Sequence, residues 1–108
     1  MDKKSLTAVA RQQLKLAAGA SSGRSSQTLY GGHTHSLRQT VIALTAGQSL
    51  AEHDTPGEAT LQVISGTLIL ISGANEWKGS PGDLLVLPAA RHSVKALDDV
   101  AFLLTVAK

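Results

Sequence analysis

Hydrophobic residues recur along this chain of 108 residues with two different periods, first a helical one and then a strand-like one. Apolar positions follow Ser5 at intervals close to 3.6 residues, at Leu6, Val9, Ala10, Leu14 and Ala17. Ser5 is a typical helix N-cap, and Gly19 stands where a helix would stop. The pattern predicts one short helix, followed by a flexible connector in GASSGRSS, residues 19–26.

From Ser26 onward the pattern changes to short apolar runs separated by turn residues. The runs are QTLYGG, LRQTVIAL, ATLQVI, TLILIS, DLLVLP, HSVKAL and VAFLLTVA. Such runs, with no second helical period among them, are typical of an antiparallel all-β sandwich or barrel. We therefore predict a helix and linker over residues 1–22 and a β-barrel domain over residues 23–108.

Two of the runs, TLILIS and DLLVLP, are apolar on both strand faces. A strand of this kind is normally covered on both sides, either by a second sheet or by another subunit. Open barrel edges also favour association with a second chain. The sequence therefore predicts a homodimer.

Composition and charge exclude several classes of function. Lys and Arg number 10 against 8 Asp and Glu, and the basic residues are scattered, so no basic stripe follows a phosphate backbone. Trp77, Tyr30 and Phe102 are the only aromatic residues available to stack on bases. No apolar run is long enough to span a bilayer, and there is no cysteine. We expect a cytoplasmic protein that binds neither nucleic acid nor membrane.

Six residues correspond to the anchors of a known pair of motifs: Gly47, His53 and Gly66, then Gly82, Pro88 and His92. In the second motif the turn from Pro88 to His92 is one residue shorter than usual, and Ala96 stands at the position of an asparagine. On these residues the chain resembles the cupin superfamily, and within it the small single-domain RmlC-like proteins. The first cupin motif reads Gly, five residues, His-x-His, three or four residues, Glu, six residues, Gly. The resemblance extends from about Arg38 to Lys108 and implies a double-stranded β-helix, or jelly-roll barrel.

The resemblance also implies a metal cup, which this chain has partly lost. In cupins, three ligands from the first motif and one histidine from the second converge on Fe, Mn, Ni, Cu or Zn. Thr55 and Ala59 stand here at the second histidine and the glutamate of the first motif. His53 and His92 remain, and two imidazoles alone rarely hold a metal tightly.

Strand alternation predicts which neighbours of Ala59 enter the barrel. Leu61 and Val63 share its parity, so they are expected to give the barrel an apolar lining. Glu58 adjoins the position of the missing ligand, but alternation directs it to the opposite face unless a bulge intervenes.

A second His-x-His occurs upstream, at His33 and His35 in GGHTHSLRQT. We interpret His33 as part of an exposed strand end. The direction of the His35 side chain is left open, because an inward position would create a three-histidine site together with His53 and His92. Immediately downstream lie Arg38 and Gln39, one of which must face inward on a strand.

Two functions of different classes follow, and no catalytic residue is assigned. The favoured one is a non-enzymatic protein that binds a small molecule in the barrel through Arg38, Gln39, Thr55, Leu61 and Val63. The alternative is a metal-dependent enzyme of dioxygenase or isomerase type, using His53, His92 and, in the three-histidine form, His35. A third hypothesis is an epimerase-like protein in which His53 or His92 is the general base.

Overall fold

The computed structural model describes residues 1–53 and 57–108, with the backbone alone for residues 52 and 53. Its elements in chain order are α1 (Leu6–Gly19), β1 (Arg24–Tyr30), β2 (Leu37–Leu44), β3 (Ser49–His53), β4 (Glu58–Ser65), β5 (Leu68–Ser72), β6 (Asn75–Gly79), β7 (Leu84–Val86), β8 (His92–Ala96) and β9 (Val100–Ala107). The predicted runs LRQTVIAL and VAFLLTVA coincide with β2 and β9.

The described strands form two antiparallel sheets. Sheet A has the order β1-β2-β9-β4-β7, and sheet B has the order β3-β8-β5-β6. Consecutive strands lie in different sheets at several points, as in a jelly roll, so the two sheets close over each other. The all-β prediction with one N-terminal helix is confirmed.

One apolar core lies between the two sheets. Alternate residues of each strand point into it, because side chains along a strand project to opposite faces. Its buried members are Leu44, Ala59, Leu61, Val63, Leu68, Leu70, Leu87, Val94, Ala96, Val100, Phe102 and Val106. We call the faces that carry these residues the inner faces. Complete burial of each large aliphatic side chain contributes about 1.5–3 kcal/mol, so this core is the main source of stability.

Helix α1 packs on the other face of sheet A, which we call the outer face. Ala10 and Ala17 of the helix lie in a second buried cluster with Ala43 of β2 and Ala101 of β9. These small side chains allow the helix to approach the sheet closely. The predicted N-cap is confirmed, since the Ser5 hydroxyl accepts a backbone N–H of the first turn at 3.2 Å. Within the described part of the chain, no helix has the length and apolarity to cross a bilayer.

The prediction of a flexible connector over residues 19–26 is wrong at its end. Strand β1 begins at Arg24, whose Cα partner in the ladder is Leu44 of β2. The backbone N–H of Thr45 donates to the carbonyl oxygen of Gly23 at 2.8 Å. Sheet pairing therefore overrides the flexible Gly and Ser composition, and the strand starts two residues before Ser26.

In strand β7, which lies within DLLVLP, the described residues of the chain itself cover only the inner face. Leu84 is 61% exposed and Val86 is 75% exposed on the outer face of sheet A. In TLILIS, Leu68 and Leu70 on the inner face are buried, and Ile69 and Ile71 on the other face are half-buried. Cover of β7 by a second subunit stays a prediction.

Gln13→Ala is expected to lower the free energy of unfolding by about 1–2 kcal/mol, because it removes buried hydrogen bonds beneath α1. Gln13 is 4% exposed, its Nε2 donates to Gln27 Oε1 at 3.3 Å, and the Ser25 hydroxyl donates to its Oε1. Urea unfolding measures the loss. Gln12→Ala is the matched control, since this exposed neighbour should change stability by less than about 0.5 kcal/mol. Equal losses in the two variants would contradict the stabilising role of the Gln13 hydrogen bonds.

Candidate functional site

The candidate residues gather at one end of the barrel. In sheet A, β4 begins and β9 ends here, with Glu58 and Ala107 as Cα partners. In sheet B, β3 ends and β8 begins here, with His53 and His92 as Cα partners. Since only residues 54–57 connect His53 to Glu58, both pairs belong to the same end of the barrel. We call this end the mouth.

His92 is a buried imidazole on the inner face of sheet B. Its exposed fraction is 1%, and burial alternates along β8 so that Val94 and Ala96 lie on the same face. His92 Nδ1 lies 3.2 Å from the carbonyl oxygen of Ala90. When Nδ1 carries the proton, it donates to this oxygen and Nε2 carries the lone pair. A backbone carbonyl that orients the ring in this way is typical of imidazoles that bind metals or ligands.

His53 occupies the register position directly opposite His92 at the end of β3. The ladder shifts register between Leu50 and His53, so β3 carries an irregularity just before this pair. The side chain of His53 and all of Thr55 lie outside the described residues. Convergence of the two imidazoles stays a prediction.

Strand β4 places Ala59 on the inner face with an exposed fraction of 6%, as alternation predicts. Leu61 and Val63 follow on the same face at 0% and 1%, so they line the barrel interior as expected. Glu58 is exposed on the outer face. The β4 register is regular from Glu58 to Val63, so no bulge brings this carboxylate inward. Contact of Leu61 or Val63 with a ligand stays a prediction.

The structure assigns inward and outward positions to Arg38 and Gln39. Arg38 pairs with Val106 of β9, and Val106 pairs with Ala59, so these three residues form one row across the inner face at the mouth. Arg38 is exposed at the rim of this row. Gln39 lies on the outer face, where its Nε2 donates to Thr105 Oγ1 at 3.3 Å. Arg38 is therefore the inward member of the pair.

His33 and His35 lie in the loop between β1 and β2, and both are exposed. The His35 ring packs edge-on against Tyr30 with ring centroids 5.2 Å apart, and its Nδ1 lies 3.4 Å from Thr34 Oγ1. The exposed position of His33 is confirmed. His35 is outside the buried inner face that holds His92, so a three-histidine site would require a different position of this loop.

The inner face at the mouth is largely apolar. Among the described side chains, Gln13 and His92 are the buried polar ones, and Gln13 lies beneath α1. No group of three or more His, Asp or Glu residues in the described ranges could hold a metal ion. The described donors therefore do not complete a metal site, because transition metals usually take three or four protein ligands.

A cavity of about 490 Å³ opens at the end of sheet A where β4 begins and β9 ends. Thr60, Val86, Thr105 and Ala107 line it from three neighbouring strands. Ala59 and Leu87, which belong to the inner core, also line it, so the cavity lies at the mouth.

The sequence interpretation did not single out two mouth residues, Val106 and Leu87. Val106 is 6% exposed and Leu87 is 9% exposed, and both belong to the inner core. The alternation of side chains along VAFLLTVA could have predicted that Val106 faces inward, because it lies four residues after Phe102 on the same strand face. The sequence feature that could have indicated Leu87 is its position directly before Pro88 of the second motif.

The fold of this chain is similar to that of several solved structures. No protein-family model matches the chain, and no curated protein matches it. A conserved protein of unknown function from Streptococcus pyogenes is 28% identical with a TM-score of 0.74, over 82% of this chain and 77% of that one. An RmlC-like cupin protein from Desulfovibrio desulfuricans is 24% identical with a TM-score of 0.68, over 78% of this chain and 81% of that one.

Two of the similar structures are enzymes, a DMSP lyase and a salicylate 1,2-dioxygenase. The DMSP lyase, from Ruegeria pomeroyi, is 21% identical with a TM-score of 0.70, over 79% of this chain and 47% of that one. This chain therefore spans about half of that enzyme's length. The similar folds include two enzymes and a protein of unknown function, so the fold alone does not determine an activity.

Proposed function

We propose that this chain, which has the cupin fold, binds a small molecule at the mouth of its barrel and has lost part of the cupin metal site. The observation that carries the proposal is Ala59, a methyl group on the inner face with 6% exposure at the position of the motif glutamate. A methyl group has no lone pair to offer a metal. The inner face then combines His92 with apolar neighbours, which is the usual composition of a small-molecule site.

The row from Arg38 through Val106 to Ala59 favours an acidic ligand with an apolar body. It spans two interstrand spacings, roughly 10 Å. The exposed Arg38 guanidinium has no ion pair or hydrogen bond with another described residue, so it can take a carboxylate at the rim. Leu61 is fully buried beneath this row. We therefore propose that the ligand lies at the mouth and that Leu61 forms the bottom of its binding site.

Hexanoate is a suitable probe for this proposal, because it carries one carboxylate on a short apolar chain. We expect its titration to shift backbone amide NMR signals clustered at Arg38, Ala59, His92 and Val106. Arg38→Gln should weaken binding by roughly threefold to fivefold, since an exposed charge pair contributes up to about 1 kcal/mol. Arg24→Gln is the matched control, because Arg24 is also exposed in sheet A but pairs with Leu44, far from the mouth.

Shifts scattered over the surface, or equal weakening by the two arginine variants, would count against the proposal. Hexan-1-ol separates the two parts of the ligand, since it has the same chain length without the charge. Its binding at the mouth should be the same in wild type and Arg38→Gln.

A metal-dependent enzyme is the second candidate, and the register of His53 opposite His92 favours it. A metal held there would act as a Lewis acid or activate oxygen. Because the described side chains do not complete such a site, we derive no reaction step through it.

We also propose that the protein is a homodimer and that it is located in the cytoplasm, as the sequence predicts. The exposed Leu84 and Val86 support a homodimer, because a monomer rarely leaves neighbouring large apolar residues uncovered on a strand. The cysteine-free composition is compatible with a reducing compartment.

A further inference from the structure

Strand β7 is an edge of sheet A that carries no charge. Its three residues, Leu84 to Val86, lie between Pro81 and Pro88 in the sequence. On one side β7 pairs with β4, and on its other side sheet A ends among the described strands. Edge strands usually carry charged residues or bulges that prevent pairing with another chain. Here the outer-face side chains are Leu84 and Val86, 61% and 75% exposed.

The backbone of β7 has hydrogen-bonding groups that point away from its own sheet. The N–H of Leu87 donates to the Ala59 carbonyl oxygen at 3.0 Å, and the N–H of Val63 donates to the Asp83 carbonyl oxygen at 3.0 Å. Groups that face one neighbour recur at every second residue of an antiparallel strand. The groups of Leu85 therefore face β4, where Leu61 is its Cα partner. The N–H and C=O groups of Leu84 and Val86 face the open edge.

We propose that two copies of this chain associate by antiparallel pairing of their β7 strands, with the two-fold axis at Leu85. Leu84 of each copy then lies opposite the partner's Val86, and each such pair forms two backbone hydrogen bonds. On the outer face, the exposed side chain of Leu84 packs against that of the partner's Val86. The contact is isologous, as in most homodimers. It is independent of the proposed ligand and gives the predicted homodimer a defined surface.

The neighbours of β7 exclude the other two symmetric registers. With the axis at Leu84, Val86 would lie opposite the partner's Gly82, but the N–H of Gly82 already donates to the Val63 carbonyl oxygen at 2.9 Å. With the axis at Val86, Leu84 would lie opposite the partner's Pro88, which has no N–H. Only the axis at Leu85 pairs every open group of Leu84 and Val86.

The absence of charge on β7 favours a second copy as the occupant. An isologous contact brings each residue near the same patch of the other copy, so like charges there would repel. Leu84, Leu85 and Val86 are all aliphatic. The carboxylate of Asp83 accepts the N–H of Ser80 at 2.9 Å within its own turn.

Sedimentation velocity over a concentration series tests the association. We expect wild type to be a dimer and Val86→Lys to raise the dimer dissociation constant by roughly tenfold or more. Val86 is largely exposed, so the variant should keep its far-ultraviolet circular dichroism spectrum. Ser26→Lys is the matched control, with the same charge on the exposed opposite edge strand of sheet A, and it should remain a dimer.

Cysteine cross-linking tests the register, since the chain has no cysteine of its own. Leu84→Cys and Val86→Cys are prepared separately, then mixed and oxidised. The proposed register predicts a disulfide-linked dimer in the mixture and much less in either variant alone, because residue 84 lies opposite the partner's residue 86 and not opposite its own copy. A monomeric wild type overturns the proposal. A dimer that Val86→Lys leaves intact, or that cross-links equally in the single variants, also overturns it.

Discussion

Gly66→Ala is expected to lower the free energy of unfolding by about 3 kcal/mol or more, the largest loss among the glycines of the two motifs. Gly66 has φ +77°, and a Cβ there would lie 2.1 Å from the carbonyl oxygen of Asp99 and 2.8 Å from the Cα of Val100. Both contacts involve backbone atoms where the preceding turn joins β9, and these atoms cannot rotate away as a side chain can. The substitution therefore combines an unfavourable φ with a direct clash.

Gly47→Ala is the matched control for this prediction. Gly47 also has a positive φ, +87°, but a Cβ there meets nothing within 4 Å. Its loss should be limited to the cost of the left-handed conformation, about 1–2 kcal/mol. Urea unfolding of both variants measures the difference. If the two losses were equal, the β4–β5 turn would have room to move away from Asp99, contrary to the geometry.

Restoring the two missing motif ligands is expected to produce a metal-binding protein. The variant Thr55→His with Ala59→Glu completes the ligand set that the cupin motif implies together with His53 and His92. Ala59 lies on the inner face, so a carboxylate introduced there points into the barrel. Three or four ligands should raise affinity for a divalent transition metal on the order of hundredfold or more over wild type. Elemental analysis and titration of the tag-free proteins with zinc measure the change.

Thr55→His with Ala59→Gln is the control, because glutamine has almost the same volume as glutamate without its charge. Its metal affinity should be well below that of the glutamate variant. Both side chains are larger than the 6% exposed Ala59, so the two variants should disturb the packing to a similar degree. Near-stoichiometric metal in the wild type, lost on His92→Ala, would instead support the enzyme candidate.

Strand patterns predicted the elements of the barrel well where both faces of a sheet are covered by the chain itself. The run LRQTVIAL became β2 and VAFLLTVA became β9, because each lies in the middle of sheet A between two neighbours. Prediction was weaker at the edges. The start of β1 was assigned to a connector, since its Arg and Ser residues carry no apolar alternation and only its pairing with β2 makes it a strand.

The candidate site was predictable as a set of positions on strands rather than as an arrangement in space. Alternation alone placed Ala59, Leu61 and Val63 on one face and Glu58 on the other, as the structure has them. It could not decide between Arg38 and Gln39, because both fit a strand and neither is apolar. The cross-strand row to Val106 and Ala59 decides for Arg38.

The amino-acid sequence alone sets the period of each segment, the positions of the turn glycines and the presence of Thr55 and Ala59 at two positions of the cupin motif. These are local properties, set by backbone sterics and by the chemistry of single side chains. Which apolar faces are covered depends on the tertiary structure, which leaves Leu84 and Val86 exposed on the outer face of sheet A and buries Leu68 and Leu70 on the inner face of sheet B. The physical reason is that burial depends on which strands the sheets bring together, and residues distant in the sequence determine that.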